Sequence, residues 1–168
     1  SPRPSFAAPL LAQLQKQWGS GRKTSLAGLD SCPPLPAARY AALFWLAGEN
    51  TGQILRYLRL PARLLRDIQT LSRLLAQPPA CEPIQIKRQL RAAGEELFFA
   101  YLSSYTALTG TDTEDVKAAA LGILQRNEPY SISHLAVTGS DLLPLGYHGP
   151  AVGRALEQLL QQVTANPR

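Results

Sequence analysis

Apolar residues recur every three or four positions along most of the chain, which is the spacing of one face of an α-helix. The clearest case begins at Pro150, where an apolar stripe runs from Val152 to Val163. No stretch alternates apolar and polar residues for long enough to form a strand. The pattern therefore predicts an all-α protein, an elongated array of about 7–10 helices in which a body is followed by a small tail subdomain.

Proline and glycine mark where these helices begin and end. The helix over 36–47 is apolar on nearly every side, so we expect it to be central. The stretch 22–36 is rich in Gly, Ser and Pro and is predicted to be a loop. Helices are predicted over 6–18, 36–47, 51–58, 61–76, 84–93 and 97–108, from a cap at 111–114 to Leu124, and over 150–163, with a short helix opening at Gly139.

Size and cysteine content narrow the class of protein. A chain of 168 residues with 45% hydrophobic residues can bury one core or two small helical lobes. No apolar run approaches the ~18 residues of a membrane span, and no charged-then-apolar leader is present, which favours a cytoplasmic protein. Cys32 and Cys81 belong to no CxxC pattern, so two free thiols are expected. The absence of Met and the start at Ser1 suggest a piece of a longer protein.

Charge is distributed unevenly along the chain. Residues 51–91 carry a net charge of +6 and residues 92–128 a net charge of −4. Thirteen of the 17 basic residues are arginine, whose planar fork suits phosphate better than lysine does. This layout points to a polyanionic partner. The candidate contacts are a row along the helix 61–76 (Arg63, Arg66 and Arg73) and a cluster in the helix 84–93 (Lys87, Arg88 and Arg91).

Two glycine-rich turns lie close together near the carboxyl end. Gly139 opens a short helix, and Gly146 and Gly149 bracket a tight turn before the helix that begins at Pro150. We expect two helix N-termini here, each with free backbone N–H groups and little side-chain bulk, an arrangement that suits a phosphodiester. Asp141 is expected to cap the first helix, because a carboxylate would repel phosphate.

The stretch 135–163, LAVTGSDLLPLGYHGPAVGRALEQLLQQV, resembles the C-terminal motif of bacterial class II tRNA nucleotidyltransferases, the CCA-adding enzymes and their poly(A) polymerase relatives. The resemblance implies neck-like helices over 1–48, a helical body over 49–128 and a tail motif over 129–168. It also implies a catalytic head upstream that binds Mg and ATP or CTP, with no cofactor in this piece. It implies that the tail meets tRNA through Gly139, Ser140, Gly149, Pro150, Gly153 and Arg154.

The expected function is therefore to clamp the acceptor and TψC half of tRNA, up to its elbow, by backbone and shape. No catalytic residue is expected in this piece, because no strand carries the paired carboxylates that nucleotidyl transfer needs. No metal site is expected either, since His134 and His148 share no ligand spacing with the cysteines. Two alternatives remain: a helical scaffold that binds another protein, with its arginine face meeting an acidic patch, and a double-stranded DNA binder that uses the hairpin-like tail.

Overall fold

The computed structural model describes residues 27–47, 55 and 58–165. Within these ranges the protein consists of α-helices, two 3-10 turns and short loops, with no β-strand, so the prediction of an all-α protein is confirmed. The helices are α1 (Ala27–Asp30), α2 (Pro36–Ala47), α3 (Ala62–Leu75), α4 (Pro83–Ala93), α5 (Glu95–Thr109), α6 (Glu114–Gln125), α7 (Gly139–Leu142) and α8 (Pro150–Ala165), and the 3-10 turns are Ile132–His134 and Leu143–Leu145.

The described helices begin and end within a few residues of the predicted positions. Pro83 lies in the first turn of α4, and Gly94, with φ of 78°, separates α4 from α5. A left-handed backbone of this kind is adopted readily by glycine, which has no Cβ to clash. The predicted helix 6–18 lies outside the described residues, and of the predicted helix 51–58 only Leu55 and Leu58 lie within them.

The predicted loop over 22–36 is wrong in one part, because Ala27–Asp30 forms the helical turn α1. Gly28 lies against α5 so closely that a Cβ there would come within 3.0 Å of the carbonyl oxygen of Ala107. The Cys32 thiol, which is buried, donates to the Gly28 carbonyl at 3.3 Å. This packing against a distant helix is a tertiary effect, and it overrides the loop-like composition of the segment.

The chain divides into two compact units. Unit 1 comprises 1–79 and 95–113, and unit 2 comprises 80–94 and 114–168. These units follow tertiary contacts, so each joins segments that are separate in sequence, whereas the expected division at 48 and 128 was consecutive. The candidate contacts in α3 belong to unit 1, and those in α4 and in the tail belong to unit 2.

In unit 1, α2 packs against α3 and α5. Its buried side is made mainly of alanine, which allows neighbouring helices to approach closely. Tyr40, Leu43 and Trp45 are only half-buried, so the burial of this helix is one-sided within the described residues. Tyr101 of α5 is fully buried, and its hydroxyl donates to the Gln77 carbonyl at 2.8 Å. The buried face of α2 consists of Ala37, Ala38, Ala41, Ala42 and Phe44.

In unit 2, α4 packs against α6 and α8, and α8 also packs against α7. The buried apolar residues come from each of these helices, and their removal from water is the main stabilising term for a unit of this size. They are Ile86, Leu90, Val116, Ala120, Ile123, Leu142 and Leu160. Seven buried apolar residues among the described part of unit 2 make a small core, so polar contacts at its edge matter more than they would in a large domain.

Candidate nucleic-acid interface

The arginine row lies on the exposed face of α3. Its apolar face buries Ile68 and Leu71 completely, which fixes the rotation of the helix about its axis. Arg63, Arg66 and Arg73 are consequently exposed. Arg73 donates from Nε to the Gln69 carbonyl at 3.4 Å, a bond within its own helix. None of the three forms a salt bridge with an acidic side chain in the described part of the chain, so their guanidinium forks are open to an external anion.

Lys87 has a different environment from the one expected of a phosphate contact. Its side chain is 2% exposed, and Nζ lies 2.7 Å from Oε2 of Glu128. Nζ also donates to the carbonyl of Thr164, in the last turn of α8, at 3.4 Å. The ammonium group is thus enclosed and neutralised within unit 2. Lys87 therefore leaves the set of exposed candidate contacts, although its neighbour Arg88 remains in it.

The geometry of Glu128 depends on the end of α6. Asn127 adopts a left-handed backbone with φ of 50°. Its N–H donates to the Leu124 carbonyl, and the N–H of Glu128 donates to the Ile123 carbonyl, both at 3.0 Å, which is the Schellman arrangement. This turn reverses the chain and holds Glu128 against Lys87. Arg126 also contacts Glu128, from Nε to Oε1 at 2.6 Å, and Lys87 is the main reason that the pKa of Glu128 is lowered.

Arg91 is exposed but already has a carboxylate partner. Its Nη1 donates to Oε2 of Glu157 at 2.9 Å, and its Nη2 donates to the other carboxylate oxygen. The pair joins α4 to α8, and its side chains are 38% and 41% exposed. These hydrogen bonds, which Arg91 donates and the Glu157 carboxylate accepts, lower the pKa of Glu157 and raise the pKa of Arg91. Arg91 and Arg88 line a cleft of about 310 Å³ whose other walls include Tyr130 and Gln161.

The first tail turn is capped by side chains. Thr138 precedes α7 and donates from its N–H and its hydroxyl to Oδ2 of Asp141, at 2.8 and 2.7 Å. These bonds lower the pKa of Asp141, and the predicted capping role of this residue is confirmed. A carboxylate therefore occupies the N-terminus that was expected to be open. Gly139 packs closely against α8, because a Cβ there would lie 3.1 Å from Cγ1 of Val152 and would require that side chain to shift. Ser140 is exposed.

The second tail turn uses two glycines with left-handed backbones. Gly146 has φ of 87° and Gly149 has φ of 54°. The first ends the Leu143–Leu145 turn in a second Schellman arrangement, in which Tyr147 donates to the Leu142 carbonyl at 3.3 Å. A side chain at either glycine would be strained. The prediction that Gly146 and Gly149 bracket a tight turn therefore agrees with the structure.

The expectation of free N–H groups at the start of α8 is wrong. Pro150 has none, and the N–H groups of Ala151 and Val152 donate at 3.2 Å to the carbonyls of His148 and Gly149. These bonds tighten the first turn and satisfy two of the donors that an anion would have used. The positive end of the helix dipole remains. In the following turn Gly153 and Arg154 are exposed, and nothing lies within 4 Å of the position of a Cβ on Gly153.

The tail also exposes apolar side chains that sequence reasoning did not single out. Leu145 is 71% exposed, Leu143 48% and Tyr147 42%. They lie in and next to the Gly146 turn. In the described ranges no group of three His, Cys, Asp or Glu residues is placed to hold a metal ion. No helix of the described ranges has the length and apolarity needed to cross a membrane.

Two features of unit 2 were missed because their partners are far apart in sequence. Glu128 and Glu157 lie 41 and 66 positions after Lys87 and Arg91, so no local pattern joins them. One local indication for Lys87 was present: it directly follows buried Ile86 and precedes buried Leu90 by three positions, which places it on the apolar face of α4.

Comparisons of the chain with protein-family models, curated proteins and solved structures give no match.

Proposed function

We propose that this chain is the tRNA-binding C-terminal region of a tRNA nucleotidyltransferase, which adds CCA or A to the 3′ end of tRNA. The observation that carries the proposal is the open arginine row of α3. Arg63 and Arg73 are ten residues apart, so the row rises by about 15 Å along the helix axis. That length is enough to follow several phosphates of one RNA strand. Arginine is suited to this contact because its fork can bind two phosphate oxygens at once.

Unit 2 supplies a second set of candidate contacts. Arg88 and Arg154 are exposed, and Arg91 is exposed beside Glu157. The two glycine turns of the tail keep bulk low around the start of α8, so an RNA backbone can come close to the peptide chain there. The proposed contact set is Arg63, Arg66, Arg73, Arg88, Arg91, Ser140, Gly149, Pro150, Gly153 and Arg154, with Gly139 retained as a packing residue of the tail.

The proposed mechanism is positioning. A-form RNA hides its base edges in a deep major groove, so a helical protein recognises it through phosphates, 2′-hydroxyls and shape. Contacts to the acceptor and TψC half fix the distance between the protein and the tRNA 3′ end. The reaction itself belongs to a head upstream that would hold Mg and ATP or CTP. The residues of this piece bind and orient the RNA and transfer no group.

Single substitutions in the arginine row test the proposal. Each of Arg63→Ala, Arg66→Ala and Arg73→Ala should weaken tRNA binding and make the slope of log affinity against log salt less steep by about 0.7–0.9, because one fewer phosphate is neutralised. Arg39→Ala is the matched control, since Arg39 is exposed on α2 and its substitution removes the same charge. Filter binding or anisotropy with a full-length tRNA gives both quantities. Equal losses in the row variants and in the control would contradict the proposal.

A helical scaffold that binds another protein, with its arginine face meeting an acidic patch, is the second candidate, and the exposed apolar tip of the tail favours a protein contact. Surface clusters such as Leu143, Leu145 and Tyr147 often mark protein contacts. Leu145→Ser separates the two candidates. It should leave tRNA affinity unchanged if the arginine row carries binding. If the protein is instead a scaffold, Leu145→Ser should abolish the capture of a protein partner from nuclease-treated lysate.

A further inference from the structure

The Arg91–Glu157 pair has the geometry of a phosphate contact. Two guanidinium nitrogens of Arg91 face the two carboxylate oxygens of Glu157. The same planar fork binds two oxygens of a phosphate, so the Glu157 carboxylate occupies the position of the anion that Arg91 would otherwise bind. Both side chains are more than one third exposed, so an external phosphate can reach the pair from solvent.

The surroundings of the pair favour a second anion contact. Arg88 and Arg91 lie three positions apart on α4, which places them side by side on the helix surface. Both line the cleft of about 310 Å³, together with the amide of Gln161 and the ring of Tyr130. Lys87 also reaches this cleft, but its charge is balanced by Glu128. Arg88 forms no salt bridge within the described residues, so Glu157 decides whether the cleft offers one unbalanced guanidinium or two.

We propose that Arg88 and Arg91 form a phosphate-binding site that Glu157 closes in the free protein, and that a phosphodiester opens it by displacing the Glu157 carboxylate from Arg91. The identification of the phosphate as part of an RNA strand rests on the function proposed above. Glu157 thereby lowers affinity for isolated phosphates and reserves the site for an RNA that is already held elsewhere on the protein.

The first arm of the test uses inorganic phosphate and the whole chain. The side-chain Nε–H resonance of Arg91 is followed by NMR in the wild type, in Glu157→Gln and in Glu114→Gln. The last variant is a matched control, because it removes the same charge from the exposed Glu114–Lys117 pair of α6. Releasing an exposed ion pair should strengthen phosphate binding at Arg91 by about two- to fivefold in Glu157→Gln and not in the control.

The second arm uses tRNA. Glu157→Gln should bind tRNA about two- to fivefold more tightly than Glu114→Gln does. In an Arg91→Ala background the same substitution should lose this advantage, because Glu157 is proposed to act through Arg91 alone. A thermal melt of each variant reports on folding. If the Arg91–Glu157 pair only stabilises the packing of α8 against α4, Glu157→Gln should lower the melting temperature and weaken both phosphate and tRNA binding.

The outcomes are distinguishable. Stronger phosphate and tRNA binding by Glu157→Gln that depends on Arg91 supports the closed site. Phosphate binding that is equal to that of the control, or weaker, overturns it, even if the wild type binds tRNA well. Stronger phosphate binding with no tRNA binding by any variant keeps the site and rejects the RNA-binding function.

Discussion

The ion pair between Lys87 and Glu128 provides the sharpest prediction about stability. Replacing Glu128 with Gln removes the carboxylate and keeps the size of the side chain. The Lys87 ammonium, whose side chain is 2% exposed, then has only neutral acceptors within reach in the described part of the chain, the Thr164 carbonyl and the amide oxygen of the new glutamine. A buried charge without a counter-charge is costly, because it has lost its water without gaining an equivalent partner. Glu128→Gln should therefore destabilise the protein.

The two partners differ in burial, so the expected loss of unfolding free energy differs between the two substitutions. Breaking a fully buried pair costs about 3–5 kcal/mol, and the partial exposure of Glu128 lowers this expectation to about 2–4 kcal/mol. The reverse substitution, Lys87→Met, should cost less, about 0–2 kcal/mol, because the remaining carboxylate is 15% exposed and keeps Arg126. The double variant should recover part of the loss, since neither charge is then left alone.

The loss of stability in Glu128→Gln should also depend on pH. Lys87 lowers the pKa of Glu128 below its usual 4.5, so folding favours the ionised carboxylate. The stabilisation is fully present above pH 4.5 and is lost as the pH falls through the lowered pKa. The difference in unfolding free energy between wild type and Glu128→Gln should therefore be constant near neutral pH and shrink in acid.

Urea denaturation at several pH values, followed by circular dichroism, measures these differences. Glu114→Gln is the control, because its pair with Lys117 is exposed with a separation of 3.6 Å; since Glu114 also lies in the first turn of α6, this substitution should cost at most about 1 kcal/mol. The reasoning is refuted if Lys87→Met costs more than Glu128→Gln, or if Glu128→Gln is as mild as the control.

Two further predictions concern local backbone and core contacts. Gly149→Ala should lower the unfolding free energy by about 1–2 kcal/mol, because the backbone at Gly149 is left-handed. Gly153→Ala should raise the unfolding free energy by up to ~1 kcal/mol, because Gly153 lies inside α8 with open space around it. Thermal melts of both variants check these predictions, and equal effects of the two substitutions would contradict them. Tyr101→Phe should cost about 1 kcal/mol in urea denaturation, because the buried hydroxyl donates to the Gln77 carbonyl, and an unchanged midpoint would show that this bond contributes nothing.

The helices were predictable because their ends are encoded locally. Pro83, Gly94 and Pro150 each act on the backbone at their own position, so their effect can be read from sequence. The same holds for the exposed arginine row, since the apolar stripe of α3 fixes which face turns outward. The two left-handed glycines of the tail turn were located for the same reason.

The charged contacts of unit 2 were less predictable, because they depend on how α4, α6 and α8 pack. Arg88, Arg91 and Lys87 look alike in sequence, yet one is exposed, one is paired with Glu157 and one is buried against Glu128. Likewise, the donors at the start of α8 were expected to be free, and a tightened first turn satisfies two of them. Local sequence sets which residues are helical, and tertiary packing sets which charges remain available.

The most direct test of the central claim, that this chain recognises folded tRNA by backbone and shape, is a comparison of two RNAs with the same protein. Affinities are measured at ~0.15 M salt for intact tRNA and for a random RNA duplex of equal length. We predict that the intact tRNA binds at least about tenfold more tightly, because shape recognition requires the folded elbow as well as the stem. Equal affinity for the two RNAs would contradict the account.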